Sequence, residues 1–164
     1  MRVAVIGLGL IGGSLARALR AANAVSSITG FDPDPEQRRR AVELGVIDQA
    51  TESAAEAAQA ADVVVLAVPV LHTAEAALAV RAGLGPSAIL TDVGSTKVSV
   101  LEDITHVFGQ IPPRFVAAHP IAGTEKSGVA ASRADLFRNH RVVLTPHEAQ
   151  DAHALDTVRS MWEA

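Results

Sequence analysis

Short runs of apolar, mostly β-branched residues alternate along the chain with longer, alanine-rich segments. The short runs are apolar throughout, which is typical of strands that are buried on both faces of a parallel sheet. The longer segments have the spacing of amphipathic helices. The predicted strands are residues 2–7, 27–32, 62–68, 88–93, 114–119 and 141–146, and the predicted helices are 11–22, 34–44, 53–60, 72–83, 96–107 and 147–163.

This alternation of strands and helices predicts the fold class. Repeated strand–helix units of this length form right-handed crossovers between parallel strands. We therefore predict an α/β fold, with a doubly wound, mostly parallel sheet and helices on both faces. The length of 164 residues suits one domain with a hydrophobic core of its own, and no linker or low-complexity tract divides the chain.

Composition removes several functional classes. The net charge is -4, whereas a nucleic-acid surface needs clustered Lys and Arg. The one basic run, Arg38 to Arg40, is predicted to be a solvated helix face. The absence of cysteine excludes a disulfide scaffold and a thiolate metal site, and it fits a cytoplasmic protein. No apolar stretch is long enough for a transmembrane helix, so we expect no membrane partner.

The segment "VIGLGLIGGSLA" contains a glycine motif between the first strand and the first helix. In this position Gly7 permits a tight turn, Gly9 lets the backbone approach a pyrophosphate, and Gly12 lets the helix pack closely on the strand. The N–H groups at the start of the helix, at Leu10 and Ile11, would face the phosphates. The motif predicts a Rossmann-type dinucleotide-binding domain over residues 1–164.

Asp32 ends the second predicted strand, 20 residues after Gly12. A carboxylate there accepts hydrogen bonds from the adenosine ribose and repels a 2′-phosphate. Asp34 adds a second negative charge. We therefore predict NAD as the cofactor, with NADP kept open by the basic run that follows.

The other end of the cofactor should lie beyond the carboxyl ends of the later strands. Val68 and Pro69 could line a nicotinamide pocket there. His72 opens a helix and is predicted to be a surface or capping residue. Ser95 could cap the next helix or, like Lys97, face the cofactor or substrate, and local sequence leaves these possibilities open.

His119 closes a predicted strand and precedes a loop of small and polar residues. A histidine in such a place can be structural or catalytic. A neutral imidazole suits the removal of a proton from a hydroxyl that is being oxidised. Metal catalysis is not expected, because the six histidines show no H-x-x-x-H or H-E-x-x-H spacing.

The glycine loop, "DVGSTK" and "HPIAGTEKSG" together resemble the NAD(P)-binding domain of the prephenate/arogenate dehydrogenases. The resemblance implies oxidative decarboxylation of prephenate to 4-hydroxyphenylpyruvate, or of arogenate to tyrosine, in tyrosine biosynthesis. It implies that His119 is the catalytic histidine at the ring hydroxyl of the substrate and that Ser95 is its partner. It places Thr124 and Glu125 among substrate-side and gating residues.

The family resemblance also implies a second, mostly helical domain that forms a homodimer and binds the substrate carboxylates. That domain is expected to be absent from these residues, so the chain alone should bind NAD well and substrate poorly. Arg133, Arg138 and Arg141 are candidates to help with the carboxylates. Asn139 stands where glycine is common in the family, and Asn also tolerates a positive φ.

Two other interpretations remain at this point. One is the nucleotide domain of a β-hydroxyacid dehydrogenase or imine reductase, which would share the glycine loop but is not expected to carry "HPIAGTEKSG". The other is a non-catalytic domain that binds or senses NAD.

Overall fold

A computed structural model describes the whole chain, residues 1–164. The strands are β1 (Arg2–Ile6), β2 (Ser27–Phe31), β3 (Gln49–Ala50), β4 (Val63–Leu66), β5 (Ile89–Asp92), β6 (Phe115–Pro120) and β7 (Val142–Thr145). The helices are α1 (Leu10–Ala21), α2 (Pro35–Glu43), α3 (Ala54–Ala58), α4 (Thr73–Arg81), α5 (Lys97–Phe108) and α6 (Ala152–Glu163), with short 3-10 turns at Val70–His72 and Val129–Ala131.

All seven strands belong to one sheet, in the order β3-β2-β1-β4-β5-β6-β7. The strands β1 to β6 are parallel, and β7 is antiparallel to β6. The direction of winding reverses between β1 and β4, so a crevice opens at their carboxyl ends. The predicted Rossmann-type, mostly parallel sheet is confirmed. None of the helices is long and apolar enough to cross a membrane.

The core lies in two layers, one on each face of the sheet. Successive strand residues point to opposite faces, so Val3 and Val5 join one layer while Ala4 and Ile6 join the other. Helices α1, α2 and α6 cover the first layer, and α3, α4 and α5 cover the second. The prediction of strands buried on both faces is therefore confirmed for the central strands.

Helix ends follow the local signals in the sequence. Asp34 caps α2 by accepting from Glu36 N at 2.9 Å, and Pro35 occupies the first turn. Gly45 follows that helix with φ +63, and its N–H donates to Val42 O at 3.0 Å, as is common where a glycine ends a helix. Asn139 also has a positive φ, +63, which the chain achieves without glycine.

Three features differ from the predicted elements. The two-residue β3 has no sequence signal of its own. The last helix begins at Ala152 rather than at 147, because residues 147–150 form a turn and Asp151 caps the helix by accepting from Ala154 N at 2.7 Å. The strand predicted at 141–146 is not buried on both faces: β7 is an edge strand, and Val143 is 47% exposed. The other boundaries agree within two residues.

Candidate dinucleotide-binding and active site

Two clefts meet along the carboxyl edge of the sheet. The first, which we call the Asp32 cleft, has a volume of about 720 Å³ and contains Gly7, Gly9, Asp32 and Pro33 among its lining residues. The second, the His119 cleft, has a volume of about 460 Å³ and contains His119. The two clefts share Gly9, Ala67, Val68 and Pro69. Together they form one groove across the point where the sheet reverses its winding.

The glycine loop lies where the two clefts meet. Gly7 has φ +100, and a Cβ there would lie 2.4 Å from Ala67 O. A Cβ on Gly12 would lie 2.0 Å from Gly7 O, so the close approach of α1 requires glycine. A Cβ on Gly9, in contrast, would have no neighbour within 4 Å, because this residue faces the open groove. Gly7 and Gly12 thus form the loop, and Gly9 leaves space for a ligand.

Asp32 ties the glycine loop to the end of β2. Its Oδ2 accepts from Leu8 N at 2.8 Å and its Oδ1 accepts from Asp34 N at 2.9 Å. Each carboxylate oxygen can accept more than one hydrogen bond, so these contacts leave room for a ribose hydroxyl. Asp32 therefore has a structural role in addition to the predicted ligand contact.

The prediction of a solvated helix face is wrong for Arg38. Its side chain is only 16% exposed, and it donates to Asp32 O at 2.8 Å and to Glu52 Oε2 at 3.1 Å. Arg39 and Arg40 are exposed, as predicted. The Arg38 guanidinium is thus held by protein oxygens and does not line the Asp32 cleft.

The Asp and Glu side chains of the Asp32 cleft give it a negative charge. Its charged lining residues are Asp32, Glu52 and Glu75, and it contains neither Lys nor Arg. His72 also lines it, and its exposed ring has Nδ1 3.5 Å from Glu75 Oε2. The prediction that His72 lies at the surface is confirmed, but it makes no capping hydrogen bond to α4. An acidic cleft of this kind repels a phosphate on the ribose.

The His119 cleft brings most of the other predicted residues together. Ser95 and His119 line it beside Val68 and Pro69, and the start of α1, at Leu10 and Ile11, forms part of the same wall. The capping interpretation of Ser95 is wrong, because α5 begins at Lys97 and Thr96 occupies the cap position. Ser95 is exposed to the cleft instead.

Thr124 and Glu125 lie on an exposed loop and are not among the residues that line the cleft. Thr124 Oγ1 accepts from Lys126 N at 3.1 Å. The residues of this loop that line the cleft are Ala122, Lys126, Ser127 and Gly128. The sequence gives no signal that these residues face the cleft, although they belong to the motif "HPIAGTEKSG".

Lys126 is the one Lys or Arg that lines either cleft. None of the three arginines considered as helpers for the substrate carboxylates, Arg133, Arg138 and Arg141, reaches the groove. Arg133 is paired with Asp135 at 2.8 Å. The groove therefore offers little positive charge to a dianion.

A buried ion pair lies behind the cleft. Lys97 Nζ donates to Asp92 Oδ2 and, at 2.6 Å, to Ala118 O. The Asp92 side chain is 3% exposed and that of Lys97 is 14% exposed. Burial raises the pKa of the Asp92 carboxyl, although Lys97 and two backbone N–H groups oppose the rise. Burial also lowers the pKa of the Lys97 ammonium, against the attraction of Asp92.

Comparison with known proteins identifies the family. The profile described as "Prephenate dehydrogenase, nucleotide-binding domain" matches residues 15–164. The chain belongs to the prephenate dehydrogenase family. It is 37% identical over 162 residues to the cyclohexadienyl dehydrogenase of Zymomonas mobilis, covering 98% of this chain and 54% of that protein. It is 38% identical to the prephenate dehydrogenase of Bacillus subtilis, covering 97% of this chain and 43% of that protein.

Solved structures of the prephenate dehydrogenase family share this fold closely. The structure of Aquifex aeolicus prephenate dehydrogenase in complex with hydroxyphenyl propionate and NAD+ matches with a TM-score of 0.91 and 38% identity, over 99% of this chain and 56% of that chain. Synechocystis arogenate dehydrogenase matches with a TM-score of 0.89 and 32% identity, over 99% of this chain and 56% of that chain.

A 3-hydroxyisobutyrate dehydrogenase from Mycobacterium tuberculosis matches with a TM-score of 0.72 and 21% identity, over 99% of this chain and 50% of that chain, which shows a shared fold alone. The β-hydroxyacid dehydrogenase interpretation is therefore set aside in favour of the prephenate dehydrogenase family. The chain spans about half the length of the curated relatives it matches.

Proposed function

We propose that this chain is the cofactor-binding part of an NAD-dependent dehydrogenase that oxidatively decarboxylates prephenate or arogenate in tyrosine biosynthesis. The observation that carries the proposal is the shared cleft of His119, Ser95 and the glycine loop. Relatives named prephenate, cyclohexadienyl and arogenate dehydrogenases support the substrate class.

The groove suits a dinucleotide in one orientation. The open space at Gly9 and the N–H groups of Leu10 and Ile11 would accept the pyrophosphate. Asp32 would bind the adenosine ribose, and Val68 and Pro69 would pack against the nicotinamide. The acidic lining of the Asp32 cleft favours NAD over NADP, because a 2′-phosphate would meet the Asp32 carboxylate, while Arg38 is already held by Asp32 O and Glu52.

The proposed chemistry places a proton acceptor beside the hydroxyl that is oxidised. NAD bound in the groove would supply the acceptor for the hydride that leaves the carbon carrying this hydroxyl. His119 takes the hydroxyl proton as the carbonyl forms, and Ser95 lies in the same cleft to orient that oxygen. Loss of the ring carboxylate as carbon dioxide returns its bonding electrons to the ring, which becomes aromatic, and the oxygen regains a proton as a phenol.

The test follows NADH formation with prephenate and with arogenate, using the longest natural form of the protein that contains this chain. Replacing His119 by Asn should lower turnover by about 10²-fold or more and leave NAD affinity nearly unchanged. His106→Asn, on the exposed side of α5, is the matched control and should have no effect. Absence of NADH formation with both substrates would overturn the proposal, and NAD binding without turnover would favour a non-catalytic NAD-binding domain.

The proposal extends to assembly and location. We expect a homodimer formed through the helical domain that the family resemblance implies, and a cytoplasmic enzyme. Sedimentation of the longest natural form, compared with this chain alone, would test the first expectation.

A further inference from the structure

The buried ion pair of Asp92 and Lys97 touches both segments that carry the proposed catalytic side chains. We propose that this pair is a positioning device that fixes the relative placement of Ser95 and His119. The inference rests on the proposed function of the His119 cleft. Neither member of the pair lines that cleft, so both would act through their neighbours.

Where strands β5 and β6 separate, the ion pair takes the place of the backbone hydrogen bonds between them. Strands β5 and β6 are paired at Leu90 with Phe115 and at Thr91 with Val116. Beyond Asp92 the chain turns away, and Val93 N donates to Leu66 O on the other side, at 3.2 Å. Asp92 Oδ1 then accepts from Ala118 N at 3.1 Å, so a side chain continues the connection to β6. The separation of the strands leaves space for the cleft.

One carboxylate holds both catalytic segments. While Oδ1 of Asp92 binds Ala118 N, its Oδ2 accepts from Gly94 N at 2.8 Å. Lys97 binds the same carboxylate and also donates to Ala118 O, so both backbone polar groups of Ala118 are occupied by the pair. Ser95 directly follows Gly94 and His119 directly follows Ala118. The distance between the two catalytic segments is therefore set by one charged group.

The fit around the carboxylate is close. A Cβ on Gly94 would lie 3.0 Å from Asp92 Oδ2 and 3.1 Å from a methyl carbon of Val100. Glycine at this position lets the turn approach the carboxylate closely enough for the N–H to bind it. Gly94, the residue before Ser95, therefore fits the ion pair, because a side chain there would crowd the Asp92 carboxylate.

Stability alone does not explain the pair. Burial raises the pKa of Asp92 and lowers the pKa of Lys97, so desolvation outweighs mutual attraction for each group. Apolar residues of similar volume often stabilise a core as well as, or better than, a buried ion pair. What apolar residues cannot supply is the set of directed hydrogen bonds to Gly94 and Ala118, and that directionality is what positioning requires.

The experiment compares four variants in the longest natural form of the protein: Asp92→Asn, Lys97→Met, the double variant, and the conservative Lys97→Arg. The first three should lower kcat by about tenfold or more, because small misplacements of catalytic groups are costly, while NAD affinity stays unchanged. Lys97→Arg should recover part of the lost kcat. Amide hydrogen exchange at Gly94 and Ala118 should become faster in Asp92→Asn and in the double variant.

The matched control is Asp62→Asn. Asp62 also pairs with a basic side chain, Arg2 at 2.6 Å, and accepts from a backbone N–H at 2.8 Å. It lies, however, at the amino ends of the strands, away from the cleft. This control should leave kcat and exchange at Gly94 and Ala118 unchanged. The double variant guards against misfolding, because it leaves no unpaired buried charge.

The outcomes separate the two proposals. Unchanged kcat in folded Asp92→Asn and double variants, with His119→Asn inactive, would overturn the positioning role and leave the proposed function intact. Equal losses of kcat and NAD affinity would also overturn it, because the damage would then be general. If the wild-type protein turns over neither substrate, the proposed function fails, and amide hydrogen exchange alone tests the positioning role. Faster exchange at Gly94 and Ala118 in Asp92→Asn and in the double variant supports that role, and unchanged exchange refutes it.

Discussion

At the residue scale, a substitution of Gly9 should affect ligand binding without disturbing the fold. A methyl group on Gly9 meets no protein atom within 4 Å, so Gly9→Ala should fold normally and lose less than about 1 kcal/mol, mainly from a weaker helix cap. The same methyl group would occupy space in the groove. NADH affinity, measured by fluorescence titration, should fall by about tenfold or more, equal to ~1.4 kcal/mol. Unchanged affinity would show that the pyrophosphate does not bind here.

Gly12→Ala should behave differently. Its methyl group would lie 2.0 Å from Gly7 O, and a backbone atom cannot move aside cheaply. We expect the free energy of unfolding to fall by about 1–3 kcal/mol, measured by urea denaturation, together with weaker NADH binding. Gly123→Ala is the matched control, because a Cβ there also meets nothing within 4 Å and the residue does not line the groove. Equal stability of the Gly9 and Gly12 variants would contradict this division of roles.

The Asp92–Lys97 pair predicts a dependence of stability on pH. The folded pKa of Lys97 lies below its usual 10.5, so the folded state releases this proton before the unfolded state does. Where the unfolded state binds more protons, stability rises with pH. Compared with the double variant Asp92→Asn/Lys97→Met, the wild-type protein should therefore gain stability as the pH rises towards 10.5. Urea denaturation of both proteins at neutral and at alkaline pH measures this difference, and a relative loss for the wild type would contradict it.

At the residue scale the sequence predicts strand-end residues well and loop side chains poorly. The carboxyl ends of parallel strands share one side of the sheet, and this rule predicts that the loops at Ser95 and His119 face one cleft, as they do in the structure. No periodicity fixes the direction of a loop side chain, and the structure has Lys126 rather than Thr124 or Glu125 in the cleft. The hydrogen bond between Asp92 and Ala118 depends on where strands β5 and β6 separate, and local sequence does not encode that point.

At the scale of elements, the last helix depends on its cap. Asp151 accepts from Ala154 N at 2.7 Å and lets α6 bury Ala154, Val158 and Met161 against the first core layer. Asp151→Ala should lower the free energy of unfolding by about 1 kcal/mol, while Asp151→Ser should retain most of it. Urea denaturation measures both effects, and the analogous cap variant Asp34→Ala on α2 provides a comparison. A loss as large for Ser as for Ala would show that the cap is not the cause.

Elements with strong periodicity were predicted within two residues, and the exceptions have physical causes. The strand β3 contains two residues, too few for any pattern to appear. The sequence predicts too early a start for α6, because residues 147–150 contain no strong helix breaker. The contact of His147 Nε2 with Phe115 O, at 3.2 Å, is a tertiary feature that local sequence does not show. The edge position of β7 likewise depends on its antiparallel pairing with β6.

At the scale of the whole molecule, the charge along the groove suits a dinucleotide better than a ligand with two carboxylates. The groove has a glycine loop, a ribose-side carboxylate and an apolar wall, which together suit a dinucleotide. On the His119 side the groove has one Lys and no Arg, namely Lys126, while prephenate carries two carboxylates. A single exposed Lys stabilises such a ligand only weakly. The chain should therefore bind the cofactor without help and bind substrate poorly.

Thermal unfolding of the chain tests this division. A ligand that binds only the folded state adds about 2.7 kcal/mol at one hundred times its Kd, so saturating NAD should raise Tm clearly. Prephenate should raise Tm little, with or without NAD. NADP at the same concentration should raise Tm less than NAD, since the Asp32 cleft is acidic, and Asp32→Asn should narrow that difference by removing one charge. A prephenate shift as large as that of NAD would mean that these residues already contain a complete substrate site.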